Sequence, residues 1–512
     1  MEGSLPIVII GAGTVGLLLA HELMQKGEKI ILIEAGGDSF QPFNSNEYTN
    51  IGHGHNGVSM GRTRGMGGTT NLWGGQLAEF IPHDINAKQS MGQPAWPIAW
   101  EEFCGYYSAV YKKLGFSVSS PIASEKLAST AHQADLEIFY TRWLKQPNFK
   151  NHFLAELENS ELVTIYKNTV VTNLHFQEKK CRSITVNKNG KTEEITEFGK
   201  IILTHGTIEI CRLLLIAARS GDCPFAKNPW IGKYFQDHIN VRVGRVTKAS
   251  RSFFKRFSNI IMNGEKLQPK IRINNIPAGE AYLGICGIFS FDSKVSGHLD
   301  NFKQFSKAIL SRSHQKAGFK DKLKLFGKVI RGTPQIMVLI YHYIKNNRIY
   351  VPFRSTVSLN LQTQQVSIEG SNISLAENDY DPIGRPKAII NWQIDGREFA
   401  SISRFCFDVR EYLSSNGLGN LEFEKWFEEE SAKPTGNWLK QVSDVYHQAG
   451  CTIMSDNSDT GVVNDDLKLH DTENLFVCGA AVMPTSSFAN TTLTALALAM
   501  RLADHLKERT GI

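Results

Sequence analysis

The chain has 512 residues, a formal net charge of +6 at pH 7, and a composition of 42% hydrophobic and 21% charged residues. This length is too great for one ordinary hydrophobic core and predicts two domains, and the modest charge gives no support for a nucleic-acid partner. No apolar stretch reaches the about 20 residues that a membrane-spanning helix needs, and no targeting leader is recognisable, which predicts a cytoplasmic protein. Eight cysteines without C-x-x-C spacing predict free thiols and no metal site.

The first forty residues have the pattern of a nucleotide-binding βαβ unit. The apolar run Ile7–Ile10 leads into Gly11, Gly13 and Gly16 at G-x-G-x-x-G spacing, and an apolar helix follows. Such glycines permit a tight turn, close approach of a pyrophosphate and close helix packing, with the helix N-terminus facing the phosphates. Glu34 ends the second strand, where a carboxylate can accept hydrogen bonds from ribose hydroxyls. The unit predicts a dinucleotide site.

A second glycine cluster follows at residues 61–75, with six glycines and two arginines. Backbone N–H groups of such a segment can line a diphosphate and a flavin edge, where a side chain would collide. Trp73 and the triplet Thr69-Thr70-Asn71 argue against a flexible linker. The segment therefore predicts a second part of the same nucleotide site.

The rest of the chain predicts a first domain that is interrupted and then resumed. Strand-like runs at 162–176 and 198–204 lead to Gly206 and a further helix. Alternating apolar and polar residues between about 240 and 435 indicate an antiparallel sheet. After about 440 a glycine-rich turn, a short strand and a closing helix from Thr492 return to the nucleotide-binding pattern.

Two polar residues near the C-terminus, His447 and Asn490, are candidates for proton chemistry. An imidazole suits removal of a hydroxyl proton because its pKa lies near working pH, and a carboxamide can orient the hydroxyl. The alternatives are a structural histidine and an Asn490 that caps the helix starting near Thr492, and capping and catalysis can coexist. His238 and His470 are interpreted as structural or peripheral.

These segments together resemble the glucose–methanol–choline (GMC) family of FAD-dependent oxidoreductases. The βαβ unit resembles the family's FAD motif, residues 67–71 its second flavin-contacting loop, and residues 202–214 the segment that re-enters the nucleotide domain. The tail 446–506 resembles the family's C-terminal block. The resemblance implies FAD as cofactor, and it implies that His447 and Asn490 fall on the family's catalytic pair, whose second member is His or Asn.

The resemblance also implies a set of FAD-contacting residues and a mode of attachment. Some family members tether the flavin through a His two residues after the position of Thr70, and Leu72 at that place predicts dissociable, non-covalent FAD. Gly479, where many members carry Asp, matches a bacterial subgroup associated with sugars and polyols. The implied contacts are Gly11, Gly13, Thr14, Val15, Gly16, Glu34, Ala35, Arg64, Gly67, Gly68, Thr69, Asn71, Leu72, Trp73, Val171, Gly206, Gly479, Ala480, Asn490, Thr491 and Thr492.

The implied fold combines α/β and α+β parts. We predict a discontinuous Rossmann-like FAD-binding domain over 1–240 and 436–512, with a loop and helical insertion around 80–160. A substrate domain built on an antiparallel sheet flanked by helices is predicted over 241–435. That region has no recognisable family counterpart, as expected where the substrate varies.

Residues 301–332 form a basic insert with nine lysines and arginines against Asp321 alone. Apolar residues alternate with these cations and indicate amphipathic helices. The favoured interpretation is a solvated flap over the substrate domain. Docking on an anionic membrane, or on a lipid-linked or phosphorylated substrate, stays an alternative.

The predicted function is oxidation of an alcohol carbon of a sugar, glycoside or polyol-like substrate, by hydride transfer to flavin N5 with His447 as base. The electron acceptor is O₂, or a quinone or carrier. The alternatives are a flavin-containing lyase of the same fold and a membrane-docked dehydrogenase acting on a lipid-linked substrate. A flavin-binding protein without catalysis is disfavoured by the His–Asn pair.

Overall fold

The computed structural model describes residues 5–43, 45–85, 92–116, 125–126, 135–275, 282–292, 338, 341, 345 and 347–508. Its α-helices there are α1 (Thr14–Gln25), α2 (Pro82–Ile85), α3 (Trp100–Phe103), α4 (Gly105–Lys113), α5 (Lys150–Glu158), α6 (Thr207–Arg219), α7 (Arg251–Phe257), α8 (Glu398–Ser415), α9 (Lys425–Ala432) and α10 (Thr491–Glu508). The strands are β1 (Ile7–Ile10), β2 (Ile30–Ile33), β3 (Gln41–Pro42), β4 (Tyr48–Gly52), β5 (Thr63–Arg64), β6 (Gln76–Leu77), β7 (Glu125–Lys126), β8 (Asp135–Trp143), β9 (Val163–Tyr166), β10 (Thr169–Gln177), β11 (Lys180–Lys188), β12 (Lys191–Ile195), β13 (Lys200–Leu203), β14 (Ile239–Thr247), β15 (Ile260–Met262), β16 (Glu265–Asn275), β17 (Ile285–Asp292), β18 (Thr356–Thr363), β19 (Asn372–Tyr380), β20 (Pro386–Trp392), β21 (Asn420–Phe423) and β22 (Leu475–Val477).

A five-stranded parallel sheet, in the order β22-β13-β1-β2-β9, forms the nucleotide-binding part. Every residue of β1 and β22 is buried, as expected for parallel strands covered on both faces. Residues from the start, the middle and the end of the chain thus share one sheet. The predicted Rossmann-like, discontinuous fold class is confirmed.

The turn after β1 requires glycine for steric reasons. A Cβ on Gly11, which has φ +102°, would lie 2.6 Å from His205 Cα, and one on Gly16 would lie 1.8 Å from the Gly11 carbonyl oxygen. Helix α1 can therefore start directly beneath the sheet. Its Leu17 and Leu18 are fully buried in a core shared with the C-terminal helix α10.

The second large sheet is antiparallel, in the order β21-β14-β18-β17-β16-β8-β6, with β15 added beside β16 and β7 beside β8. One face is apolar and packs on helix α8, with Ile271, Leu359 and Phe405 all fully buried in the same core. The other face carries polar side chains toward the nucleotide-binding part. This confirms the predicted antiparallel sheet flanked by helices.

The sheet extends beyond the range predicted for the substrate domain. Strands β6 and β8 lie outside 241–435, yet β8 pairs with β16 and β6 pairs with β8. The stretch around 80–160 therefore supplies the strands β7 and β8 of this sheet as well as helices. Strands β6 and β8 belong to the sheet because they form hydrogen bonds at its edge with strands that are distant in sequence. Such pairing could not be predicted from the local composition. The exact domain boundaries stay a prediction.

All eight cysteines are free, as predicted. Within the described parts of the chain, no helix is both long and apolar enough to cross a lipid bilayer. The basic insert 301–332 lies outside the described residues, so its predicted helices and contacts stay predictions.

Candidate active site

A cleft opens at the carboxyl ends of β1, β2 and β13, where the glycine turn, the second glycine segment and the start of helix α6 meet. It is lined by eleven residues of the predicted FAD set, namely Gly11, Gly13, Thr14, Val15, Glu34, Ala35, Arg64, Gly68, Thr69, Val171 and Gly206. The other predicted contacts lie outside this lining: Gly16, Gly67, Asn71, Leu72, Trp73, Gly479, Ala480, Asn490, Thr491 and Thr492. Sequence reasoning missed the lining residues Arg62, His205, Glu209, Arg385 and Gln448.

The cleft fits the diphosphate that the resemblance implies. Gly13 is the N-cap residue of helix α1 and provides no side-chain cap, so the first N–H groups of the helix are available to an anion. A Cβ on Gly13 would meet nothing within 4 Å, while one on Gly68 would lie 2.9 Å from Gly13 Cα. The second glycine segment therefore lies directly against the first turn and leaves open space above it.

Glu34 joins these two glycine segments. Its carboxylate accepts hydrogen bonds from the backbone N–H groups of Ala12 at 2.9 Å, Gly36 at 2.9 Å and Gly65 at 2.8 Å. Burial raises the pKa of this carboxyl, against the lowering effect of the three N–H groups. Glu34 thus has a structural role that the sequence did not indicate, and its contact with a ribose stays a prediction.

Three of the predicted contacts hold the second glycine segment in shape. Asn71 Nδ2 donates to the Gly68 carbonyl at 2.7 Å, and Trp73 Nε1 donates to the Pro147 carbonyl at 2.7 Å. Arg64 pairs with Glu47, with Nη1 2.8 Å from Oε1. These bonds hold the second glycine segment in its conformation. They also engage the side chains of Asn71 and Trp73, which are not among the residues that line the cleft.

The floor of the cleft holds a buried group of charges around Glu209. The hydroxyl of Tyr48 donates to Glu209 at 2.6 Å, and the guanidinium groups of Arg385 and Arg62 lie at 3.4 and 3.7 Å. Burial alone would raise the pKa of Glu209, but the neighbouring arginines hold it well below its usual range. His205 beside them keeps a buried Nδ1 without a hydrogen bond, and burial lowers the pKa of this imidazole to about 4.

The structure brings together the two residues of the predicted catalytic pair. Asn490 Nδ2 lies 3.0 Å from His447 Nε2, although 43 positions separate them in the chain. Asn490 Oδ1 is buried and makes no hydrogen bond, so this side chain does not cap helix α10. The loop with His447 is fixed to the turn after β22 because Gly450 N–H donates to the Ala480 carbonyl at 3.1 Å.

His238, interpreted from the sequence as structural or peripheral, contacts His447 directly. The Nδ1 atoms of the two rings are 2.8 Å apart, and the His238 Nε2 atom lies 3.0 Å from the Ser486 carbonyl oxygen. The rings are nearly perpendicular, at 82°. His470 is remote from the pair and contacts the Ser455 carbonyl. His238 is therefore not peripheral, which corrects that part of the interpretation.

These contacts determine which nitrogen of each neutral ring carries a proton. A carbonyl oxygen only accepts, so His238 bears its proton on Nε2 and offers a lone pair at Nδ1. His447 must then donate from Nδ1, which leaves its Nε2 unprotonated to accept from Asn490. Burial favours the neutral form of both rings: it lowers the pKa of His238, and it lowers the pKa of His447 to about 3, where the proximity of His238 further disfavours a proton.

Asp237 fixes the backbone of both histidines. Its fully buried carboxylate accepts from the N–H of His238 at 2.7 Å and from the N–H of His447 at 2.9 Å, and it lies 3.0 Å from His55 Nε2. Burial would raise the pKa of Asp237, but the hydrogen bond and charge of His55 lower it overall.

The same groups include two sets whose ligand atoms lie within 4.8 Å of one another, Asp237 with His238 and His447, and His55 with Asp237 and Asp444. Asp444 accepts from the N–H groups of Asn56 and Gly57 at 2.7 and 2.8 Å. Because these atoms already serve hydrogen bonds, the arrangement is explained as a hydrogen-bond network. The absence of a metal stays a prediction.

Two family models match this chain. One is described as an FAD binding domain and matches residues 4–197, and the other is described as GMC oxidoreductase and matches residues 369–499. The first includes both glycine segments, and the second includes His447 and Asn490. The chain belongs to the GMC oxidoreductase family. This GMC oxidoreductase uses FAD and is an oxidoreductase that acts on CH–OH donors.

Relatives align with this GMC oxidoreductase over nearly its whole length. The oxygen-dependent choline dehydrogenase of Staphylococcus haemolyticus (strain JCSC1435) is 20% identical over 580 aligned residues, covering 99% of this chain and 94% of the relative. The enzyme of the same name from Staphylococcus aureus (strain JH9) is 20% identical over 577 residues, covering 98% and 93%.

Solved structures share the fold. Pyridoxine 4-oxidase from Mesorbium loti superposes with a TM-score of 0.59 at 16% identity, covering 98% of this GMC oxidoreductase and 99% of that chain. A fungal aryl-alcohol oxidase gives a TM-score of 0.59 at 14% identity and covers 100% of both chains. At such identities the likeness concerns the fold alone.

Proposed function

We propose that this enzyme oxidises the CH–OH group of a small alcohol, with His447 as the base that takes the hydroxyl proton and Asn490 as the residue that orients the hydroxyl. The observation that carries the proposal is the chain of hydrogen bonds from Asn490 through His447 to His238, which leaves one unprotonated imidazole nitrogen facing the carboxamide. A neutral imidazole with a free lone pair is the group that alcohol oxidation requires for its proton.

The proton follows a defined route among the side chains. A hydroxyl entering between the pair replaces the hydrogen bond of 3.0 Å between Asn490 and His447 with two of its own, accepting from Asn490 Nδ2 and donating to His447 Nε2. As the proton moves to Nε2, the imidazolium keeps its Nδ1–H bond to the lone pair of His238. The carboxylate of Asp237, bound to the backbone N–H of His447, stabilises the new positive charge. The hydride acceptor for the same carbon is the chemistry that a bound FAD would supply.

The residues proposed to hold FAD are those that form the cleft. The N-terminus of α1 at Gly13 and Thr14, and the backbone of Gly68 and Thr69, would bind the diphosphate. We propose non-covalent FAD because Leu72, 48% exposed at the position of the tethering residue in some family members, has no nucleophile.

We propose a polyol-like or sugar-like substrate because Gly479, at a position where many family members carry Asp, matches a bacterial subgroup associated with sugars and polyols. Its φ of +138° excludes most side chains, and a Cβ there would lie 3.9 Å from Val15 at the start of α1. Relatives and structural neighbours carry the names of enzymes for choline, pyridoxine and aryl alcohols, so alcohols of small size are the proposed class. The acceptor is O₂, or a quinone or carrier.

The test is an anaerobic screen of alcohols against the FAD-loaded enzyme, followed by the visible absorbance of the flavin. The expected result is bleaching by at least one polyol or other small alcohol, and return of the yellow colour on adding O₂ or a quinone, whichever is the acceptor. Turnover of a substrate without bleaching would indicate lyase chemistry and contradict the proposal.

A further inference from the structure

Lys270 occupies the centre of the polar face of the antiparallel sheet. It lies on β16, pairs with Phe139 of β8, and is only 2% exposed. Because side chains alternate along a strand, Lys270 shares its face with Arg272, whose guanidinium carbon is 4.4 Å from the centre of the Phe139 ring. Phe139 in turn packs against Phe488 at 5.6 Å. This face therefore covers the loop that carries Asn490.

The ammonium of Lys270 makes no hydrogen bond and no ion pair with the described residues, and the thiol of Cys286 is its one electrostatic neighbour that raises its pKa. Nearby carboxylates have other partners. Glu137 accepts from Arg272 Nε at 2.6 Å, and Glu265 accepts from Arg142 at 2.6 Å. Burial lowers the pKa of Lys270. A buried cation without a counter-charge is costly for a fold and is rarely kept without a function.

Lys270 lies close enough to the catalytic pair to act on it electrically. Its charge contributes to lowering the pKa of both His447 and His238, after the larger effect of burial. On the same face, Gln76 Nε2 donates to Thr141 and to Gln268, each at 2.7 Å. Among the described residues, this face thus combines the unpaired ammonium of Lys270 with the Arg272–Glu137 ion pair and with neutral hydrogen-bonding groups.

We propose that Lys270 binds an anionic group of the substrate, a carboxylate, so that the alcohol this enzyme oxidises is a hydroxy acid. The proposal rests on the proposed function of the site and specifies its substrate class. The ammonium forms a charge-assisted hydrogen bond with the anion, while the hydroxyl of the same molecule reaches His447 and Asn490. The amide and hydroxyl side chains beside Lys270 suit further hydroxyl groups of a polyhydroxylated acid. A cationic alcohol such as choline is disfavoured because Lys270 would repel it.

The test uses binding, so that it does not depend on turnover. The FAD-loaded enzyme is titrated anaerobically with acetate, with inorganic phosphate and with uncharged acetamide, and binding is followed by calorimetry and flavin difference spectra. Acetate is expected to bind at least about tenfold more tightly than acetamide. Lys270→Met should abolish that difference, Lys270→Arg should retain most of it, and Lys191→Met, at an exposed lysine of β12, should leave it unchanged.

The phosphate titration distinguishes two sources of the anion. Tighter binding of acetate than of phosphate, lost in Lys270→Met, supports a carboxylate. Tighter binding of phosphate, lost in the same variant, supports the anion-binding role of Lys270 but overturns the carboxylate in favour of a phosphate ester. Equal binding of acetate and acetamide, or an unchanged difference in Lys270→Met, would overturn the proposal. The proposal would also be overturned if Lys270→Met changed only the reoxidation of reduced flavin by O₂, making it slower. Acetate binding does not depend on oxidation. A negative binding result, which would overturn the role of Lys270, is therefore distinct from the absence of flavin bleaching by alcohols, which would overturn the proposed function.

Discussion

His238 and His447 share a hydrogen bond of 2.8 Å between their Nδ1 atoms, although 209 positions separate them in the chain. The bond orients the imidazole of His447. On the far side of His238, the Ser486 carbonyl accepts from Nε2–H, so Nδ1 of His238 is the acceptor and Nδ1–H of His447 is the donor. We propose that His238 is a positioning residue, which acts on the reaction through the tautomer of its neighbour.

Replacing His238 with Leu should lower the rate of flavin reduction by about 10- to 100-fold, the range known for residues that orient a reacting group. The lone pair that accepts from His447 Nδ1–H would be lost, so the wrong tautomer becomes populated. A variant that retains an acceptor, His238→Gln, should recover part of the rate. Rapid-mixing kinetics with varied substrate separate this effect from binding, since KM should change less than kcat. Equal loss in both variants would indicate a merely structural role.

The pH dependence of flavin reduction should lack an acid limb near 6.5, the ordinary pKa of histidine. Burial lowers the pKa of His447 to about 3, so this base stays unprotonated down to strongly acidic pH. We expect the reduction rate to be nearly constant from pH 8 to about 5, in rapid-mixing measurements that verify FAD retention at each pH. An acid limb centred near 6.5 that disappears in the His447→Gln variant would contradict this expectation.

Gly13→Ala should fold normally and lose FAD affinity. A Cβ at this position meets no protein atom within 4 Å and the backbone has φ −79°, so the protein itself accommodates it. The methyl group would occupy the space proposed for the diphosphate. Equilibrium dialysis should show an affinity at least about tenfold weaker, with unchanged circular dichroism. Gly105→Ala, at another unobstructed glycine remote from the cleft lining, is the control. Normal FAD binding by Gly13→Ala would mean that the diphosphate lies elsewhere.

Lys270→Met should stabilise the protein by roughly 1–3 kcal/mol near neutral pH, because it removes a buried and uncompensated cation. Burial lowers the pKa of Lys270 in the folded state, so the unfolded chain binds the proton more readily and the wild-type stability rises with pH. The advantage of the variant should accordingly shrink as the pH increases toward the ordinary value of lysine. Urea unfolding at several pH values measures this. A destabilised variant would indicate that the ammonium has a structural partner.

Local spacing made much of this structure predictable. The glycine turn, Glu34 and the start of α1 follow each other within one βαβ unit, so their arrangement depends on short-range sterics. The pairing of His447 with Asn490 was inferred from family motifs, and the distance of 3.0 Å agrees with that inference.

Contacts between distant segments were not predictable in this way. The alternation along β16 would place Lys270 on a solvated face, and its burial arises only because the nucleotide-binding part covers that face. The bond between His238 and His447 likewise depends on how two remote loops pack. The bond from the Trp73 indole N–H to the Pro147 carbonyl also joins remote segments and was not predicted, and the contact of Trp73 with FAD stays a prediction.

The most direct measurement for the central claim is the rate of anaerobic flavin reduction in wild-type enzyme and in His447→Ala, with the best alcohol from the screen at saturating concentration. We expect a rate about 10²- to 10⁴-fold lower in His447→Ala, the usual contribution of a positioned base, with FAD content unchanged. The same substitution at the exposed His175 should have no effect. Reduction of the flavin in His447→Ala at nearly the wild-type rate would show that His447 is not the base.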